Sequence, residues 1–151
     1  FSSLVKYSTK MGGTGVTLGV GYTSNESAPS GGSNQDGINV GLKITSGAMT
    51  FTAAYMKEDL ASTDETFNGL GLIYKLDKVN SVSIGYGNHE KKTISSGATQ
   101  DETVITLGAQ RNLGKGVPVS ASAFRGERED SNASSNNFDD TGVVAGFKVS
   151  F

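Results

Sequence analysis

The sequence TGVVAGFKVSF, from Thr141 to Phe151, alternates apolar residues with small or polar ones. The apolar parity carries Val143, Ala145, Phe147, Val149 and Phe151, and the other parity is mostly Gly, Lys and Ser. A period of two predicts a β-strand with one apolar face. Such a strand with aromatic residues near its end is typical of proteins that cross an outer membrane. We therefore predict a strand over 141–151 whose apolar face meets lipid.

The same alternation recurs in eight segments that precede this strand. We predict strands over residues 1–9, 14–23, 36–45, 48–56, 66–76, 81–89, 101–111 and 117–126. Each has about the 9–11 residues that a tilted strand needs to cross a bilayer. No run approaches the roughly 18 apolar residues of a membrane helix. The sequence therefore predicts an all-β, antiparallel, transmembrane protein.

The connections between these strands alternate in predicted length. Short connections fall at 10–13, 46–47, 77–80 and 112–116, and longer polar ones at 24–35, 57–65, 90–100 and 127–140. Every acidic residue except Asp77 lies in or beside a longer connection. Outer-membrane barrels combine short periplasmic turns with longer extracellular loops. We therefore expect the longer connections to face outward and the C-terminus to lie in the periplasm.

Composition excludes several functional classes. A net charge of −2 argues against a nucleic-acid partner. The absence of cysteine rules out a disulfide framework and a thiolate metal site. His89 is the only histidine, and no set of nucleophile, base and orienting residue is evident, so we expect neither enzymatic activity nor a cofactor.

The glycine-rich alternating strands, the paired turn and loop lengths and the FKVSF ending resemble general bacterial outer-membrane porins of alphaproteobacterial type. The resemblance implies a closed β-barrel of roughly 16 strands. Residues 1–151 would form about nine of them, as the C-terminal part of a single barrel domain whose residues before Phe1 are missing. It also implies a water-filled channel for passive diffusion of ions and small hydrophilic solutes in the outer membrane. The alternatives are a smaller outer-membrane barrel with a structural or adhesion role, and a soluble β-sandwich.

Polar residues on the parity opposite the apolar one are the candidates for lining this channel. They are Lys6, Asn39, Lys43, Lys75 and Lys148. On the predicted strands this parity carries lysines and no carboxylate, which predicts a positively charged wall. In porins a basic wall of this kind faces an acidic inserted loop. The simpler alternative is that these lysines lie near a rim and have no special role.

Aromatic residues on the apolar parity are candidates for the membrane–water interface, where tyrosine and other aromatics are enriched. They are Tyr7, Tyr22, Tyr55, Tyr74, Phe147 and Phe151. The resemblance implies lipid and lipopolysaccharide as partners and a homotrimer as the assembly. Small outward residues on the last two strands, Ala121, Ala123 and Ala145, are the expected subunit contact.

Adjacent acidic residues raise the question of a calcium site, because Ca²⁺ prefers carboxylate oxygens. The candidates are Asp101 with Glu102 and Asp139 with Asp140. Their spacing does not match an EF-hand loop. We predict solvated loop charges and no metal, with these four residues as the weak alternative.

Overall fold

The computed structural model of the protein describes residues 1–25, 35–114 and 116–149. These residues form nine strands, each paired antiparallel with the next in a single sheet, which confirms the predicted all-β fold. A 3-10 helix, Ser134–Asn136, precedes the last strand. No helix in this part of the chain is long and apolar enough to cross a membrane. The strands are β1 (Ser2–Met11), β2 (Thr14–Asn25), β3 (Gln35–Ser46), β4 (Met49–Asp59), β5 (Thr63–Lys75), β6 (Asn80–Thr93), β7 (Thr99–Asn112), β8 (Pro118–Asp130) and β9 (Phe138–Phe147).

The sheet has no hydrophobic core, because none of the described hydrophobic residues is buried. The register instead gathers apolar side chains on one face, where Phe51 lies opposite Leu72 and Leu72 lies opposite Ile84. Large side chains on this face are exposed, such as Leu107 at 59%. A contiguous apolar surface of this extent needs lipid or protein to cover it. We call it the outer face and the opposite one the inner face.

The two edges of the sheet are unpaired. Among the strands of the described ranges, β1 bonds only to β2 and β9 only to β8, so this sheet is open. Outward side chains at the edges are the most exposed, with Val5 at 70% and Val143 at 79%. Within a membrane every backbone donor and acceptor needs a partner inside the protein. Each edge therefore requires a further strand beside it.

The strands are longer than predicted at one end. β4 continues to Asp59 and β5 starts at Thr63, and β6, β7, β8 and β9 are lengthened at the same end. The long connections predicted at 57–65, 90–100 and 127–140 were wrong, since the connections are 60–62, 94–98 and 131–137. Backbone ladder bonds continue where the apolar alternation stops, because they do not depend on side-chain polarity. The connection predicted at 24–35 falls largely on residues 26–34, outside the described ranges. We call this end the loop end.

The opposite end, which we call the turn end, has compact connections close to those predicted. Gly12 and Gly13 have φ values of 53° and 87°, the left-handed pair that a two-residue hairpin turn requires. The next hairpin turns at Gly47–Ala48, one residue later than predicted. β9 ends at Phe147 and not at residue 151, and residues 150–151 lie outside the described part of the chain.

Candidate functional site

Three tyrosines mark where the outer face changes from apolar to polar toward the loop end. Tyr22, Tyr55 and Tyr86 lie on β2, β4 and β6, and the next outward residues are Ser24, Lys57 and Asn88. The Tyr22 hydroxyl donates a hydrogen bond to Asp36 Oδ1 at 3.0 Å. Tyrosines in such places are typical of the girdle at a membrane–water interface. Tyr86 was not among the aromatic residues predicted for this role, although its parity places it there.

The line through these tyrosines crosses the sheet obliquely. Tyr22 is in register with Ile38 and Lys57, so Tyr55 lies two residues closer to the turn end, and Tyr86 lies two residues further again. Two residues of rise for every two strand spacings correspond to a strand tilt of about 35°. That is the tilt at which strands cross an outer membrane. The polarity boundary thus has the slope expected of a membrane surface.

The other predicted interface aromatics take different places. Tyr74 lies on the outer face near the turn end, beside Met49 and Val82. Phe147 is the last residue of β9. Tyr7 has Val5 beyond it toward the loop end, so it lies within the apolar band and away from its boundary. Phe151 is outside the described residues.

The predicted lining residues share the inner face. Lys6 lies opposite Gly19, Asn39 opposite Gly21 and Lys43 opposite Thr17, all away from the apolar face. Lys75 is the last residue of β5, and Lys148 follows β9, where its amide donates to the Pro118 carbonyl at 3.1 Å. None of these lysines has a carboxylate within 4.0 Å among the described residues. Lys43 also borders a depression of about 430 Å³ that includes Lys10.

Glycines keep much of the inner face open. Gly19, Gly41, Gly69, Gly87 and Gly126 belong to one cross-strand row that also contains Ala54 and Val104. The ring of Phe67 lies across Gly69 and Gly87, where a Cβ would be 3.0 Å and 3.6 Å from the ring. Phe124 lies in the same way over Gly142. These two phenylalanines therefore lie against the sheet where glycines leave room for their rings.

The prediction of an inner face without carboxylates was wrong. Glu58 and Glu65 lie on it because β4 and β5 extend further toward the loop end than the apolar pattern indicated. Glu102 also lies on it, within the strand predicted over 101–111, and its inner parity was overlooked. Glu65 and Lys75 are on the same face of β5, ten residues or about 33 Å apart. The inner face therefore has acidic residues at the loop end and lysines toward the turn end.

Sequence reasoning also missed a group of paired charges on the inner face at the loop end. His89, Glu102, Arg128 and Phe138 are successive neighbours across β6, β7, β8 and β9. Arg128 Nη2 donates to Glu102 Oε1 at 2.5 Å, and its guanidinium lies 5.0 Å from the centre of the Phe138 ring. Arg128 and Phe138 lie beyond the ends of the predicted strands, so residue parity could not place them in this group.

Glu65 joins the same group from β5. Its Oε2 lies 3.2 Å from His89 Nε2, and its Oε1 accepts from Lys91 Nζ at 3.2 Å. Partial burial opposes its ionised form, but the hydrogen bonds from Lys91 and His89 outweigh burial and hold the pKa of Glu65 below its ordinary value. We call Glu65, His89, Lys91, Glu102 and Arg128 the inner ionic cluster.

The acidic pairs considered for calcium are split by the strands that contain them. Asp101 and Asp139 point to the outer face, whereas Glu102 and Asp140 point to the inner face, so neither pair can hold one ion. Asp101 accepts from Asn88 at 2.8 Å, and Asp139 pairs with Arg125. The described residues contain no group of three or more possible metal ligands.

Small residues form a patch on the outer face of the last strands. Ala109, Ala121 and Ala145 are in register across β7, β8 and β9, and Ala123 adjoins them. Leu107, Ala123 and Val143 line part of a depression of about 540 Å³ beside the patch. The three alanines predicted for a subunit contact are thus brought together with a fourth.

Comparison with known proteins gives one family and a consistent set of solved structures. The family model for Gram-negative porins matches residues 1–148. No curated protein matches the sequence. OmpT of Vibrio cholerae, expressed in the outer membrane, is 17% identical with a TM-score of 0.66 and covers 97% of this chain and 55% of its own.

Two further structures of that protein are similar. The trimer form of in-vitro folded OmpT of Vibrio cholerae is 16% identical with a TM-score of 0.63, covering 95% of this chain and 55% of that one. Its loop L8 deletion mutant is 16% identical with a TM-score of 0.67, covering 93% and 50%. The chain therefore spans about half the length of these proteins, and at such identities the likeness establishes the fold.

Proposed function

Because this chain belongs to the Gram-negative porin family, we propose that its nine strands form part of the wall of a water-filled channel. The chain is accordingly an outer-membrane β-barrel protein. The proposed channel carries ions and small hydrophilic solutes by passive diffusion. The strands that complete the barrel would pair with the open edges at β1 and β9.

The observation that carries this proposal is the contrast between the two faces of the sheet. The outer face is an uncovered apolar band bounded by tyrosines, whereas the inner face carries glycines, hydroxyl side chains and lysines, among which Lys6, Lys43 and Lys75 have no carboxylate partner within the described part of the chain. A lysine that faced lipid near the bilayer centre would be costly, so the lysine-bearing face belongs in water. Water on one face and lipid on the other is the arrangement of a porin wall.

A passive channel also suits the side chains of the inner face. The one imidazole, His89, is bonded to a carboxylate that Lys91 also binds, and no serine or threonine hydroxyl among the described residues bonds to it. This arrangement gives no activated nucleophile. We therefore propose a channel without enzymatic activity and without a cofactor.

Orientation and assembly form the second part of the proposal. The acidic loop end would face outward, and the turn end with the C-terminus would face the periplasm. Lipid and lipopolysaccharide would cover the outer face, and the alanine patch would meet a neighbouring subunit of a homotrimer. Small side chains let two surfaces approach closely, and a trimer form has been described for OmpT of Vibrio cholerae.

The alternative is a small barrel with a filled interior and a structural or adhesion role. Such a barrel needs bulky inward side chains. Phe67 and Phe124 do point inward, but they lie against the glycines Gly69, Gly87 and Gly142 of the sheet. The inner face therefore favours the channel.

Cysteine accessibility tests the channel directly, since this sequence contains no cysteine of its own. Lys43→Cys and Leu42→Cys, made in the complete native polypeptide, place a thiol on the inner and outer face at neighbouring positions of β3. In planar bilayers, a water-soluble thiol reagent should reduce the conductance of Lys43→Cys and leave that of Leu42→Cys unchanged. Equal responses of the two variants, or no conductance in the unmodified protein, would reject the proposal.

A further inference from the structure

We propose that protonation of His89 makes the channel more anion-preferring as the pH falls. His89 is the only histidine in the sequence, and imidazole is the side chain that ordinarily changes charge between about pH 8 and pH 5. It lies on the inner face, with a third of its side chain exposed. The inference rests on the proposed channel function and adds a regulatory property to it.

The surroundings of His89 are ionic on both sides. On β5, Phe67 is its direct neighbour and Glu65 the diagonal one, whose Oε2 lies 3.2 Å from His89 Nε2. On β7, Glu102 is its direct neighbour and Gln100 the diagonal one. Carboxylates of the two neighbouring strands therefore flank the imidazole.

Each flanking carboxylate already forms an ion pair with another cationic side chain. Lys91, on β6, binds Glu65 Oε1 at 3.2 Å, and Arg128, on β8, binds Glu102. With neutral His89 the inner ionic cluster therefore has two negative and two positive groups and no net charge. Since hydrogen bonds hold the pKa of Glu65 low, its carboxylate stays ionised when the imidazole gains a proton.

Protonation of His89 therefore adds one net positive charge to the cluster. It does so at the loop end, where acidic residues such as Glu58 and Asp130 otherwise dominate the inner face. Weakening this negative zone reduces the attraction for cations and the barrier for anions. The field of a single charge extends over about 8 Å at physiological salt and further at low salt.

The experiment compares reversal potentials under a potassium chloride gradient at low ionic strength, near pH 7.5 and pH 5.5. The variants His89→Gln and His89→Lys are made in the complete native polypeptide. We expect the ratio of chloride to potassium permeability to rise on acidification in the native protein. His89→Gln should lose this rise, and His89→Lys should have the higher ratio at both pH values.

A matched control moves the imidazole to the other face. Thr66 lies on the outer face of β5, one strand away and at a similar height. Thr66→His combined with His89→Gln should behave as His89→Gln alone. An acid-induced rise that persists in His89→Gln, or that returns with Thr66→His, would overturn the inference.

His89→Gln and His89→Lys have separate expected results, so either variant still tests the inference if the other fails to fold. A pH-independent ratio in the native protein would also overturn the proposal about His89, while leaving the channel intact. Absence of any conductance in folded native protein would instead reject the channel function itself.

Discussion

Arg125 and Asp139 form a two-pronged ion pair on the outer face, next to the apolar band. Arg125 Nε donates to Asp139 Oδ1 at 2.9 Å, and Nη2 donates to Oδ2 at 2.7 Å. Arg125 lies opposite Ile105, one step beyond Ala123 on β8. On β8 and β9 the apolar band ends closer to the turn end than it does on β2. This agrees with the oblique line of tyrosines.

The first prediction concerns this pair. Asp139→Ala should lower the stability of the folded barrel, because an unpaired guanidinium would remain beside lipid or a neighbouring subunit. Arg125→Leu with Asp139→Ala should recover much of the loss, since neither charge remains. Chemical unfolding of protein refolded into lipid vesicles measures both. Identical midpoints for Asp139→Ala and the native protein would show that this surface is in water.

The second prediction tests the lipid contact at the middle of the outer face. Leu72 lies between Phe51 and Ile84, so Leu72→Arg should reduce membrane stability by about 2–4 kcal/mol. Ser95, an exposed residue of the 94–98 connection, provides the control. Ser95→Arg should leave stability close to the native value in the same vesicle unfolding measurement. Comparable losses at the two sites would contradict a lipid-facing band.

The third prediction separates two glycines of the same inner row. Gly69→Val places its side chain against Phe67, whose ring would lie 3.0 Å from the new Cβ, and should destabilise by about 1–3 kcal/mol. A Cβ at Gly41 meets nothing within 4 Å, so Gly41→Val should be tolerated. Thermal unfolding in detergent compares the two. Greater damage from Gly41→Val would mean that the inner face is packed differently.

The fourth prediction concerns the turn between β5 and β6. Asp77 accepts hydrogen bonds from the side chain of Asn80 at 2.7 Å and from the amides of Val79 and Asn80 at 2.7 and 2.8 Å. These bonds, the side-chain one foremost, lower the pKa of Asp77. A lowered carboxyl pKa stabilises the fold above the unfolded value of about 3.9, and this contribution disappears as the pH falls through the folded pKa.

Asp77→Ala should therefore lower the urea midpoint at neutral pH, and its difference from the native protein should shrink in acid. Lys78→Ala, a change at the exposed next residue of the turn, is the control and should have little effect at either pH. If the urea midpoints of Asp77→Ala and the native protein differed by the same amount at neutral and acidic pH, the ionised carboxylate would not be the source of the stability.

The sequence was sufficient for the strands and their faces, because alternation along each strand determines which side chains share a face. Lys43 and Leu42 were assigned to opposite faces from parity alone, and the register agrees. The ends of the strands were not predictable in this way. Glu65 and His89 lie where both faces are polar, so the pattern stops although the backbone ladder continues.

Contacts between side chains of neighbouring strands were also not predictable from the sequence. Whether Glu65 reaches His89, or Arg128 reaches Glu102, depends on the register of neighbouring strands, which the apolar pattern does not specify at the loop end. The flat placement of Phe67 likewise depends on glycines of its own and the neighbouring strand. The lysines were identified correctly as inner residues, but their acidic counterparts on the same face were not.

The central claim is that the inner-face lysines line the path of permeating ions. Lys43, Lys75 and Lys148 have no carboxylate partner among the described residues, so in the proposed channel their charge would act on the water of the lumen. The most direct test replaces all three with Glu in the complete native polypeptide and measures the reversal potential in a planar bilayer under a salt gradient. A shift toward cation preference, largest at low salt where screening is weakest, is the predicted result. A conducting triple variant with the native reversal potential would contradict the claim.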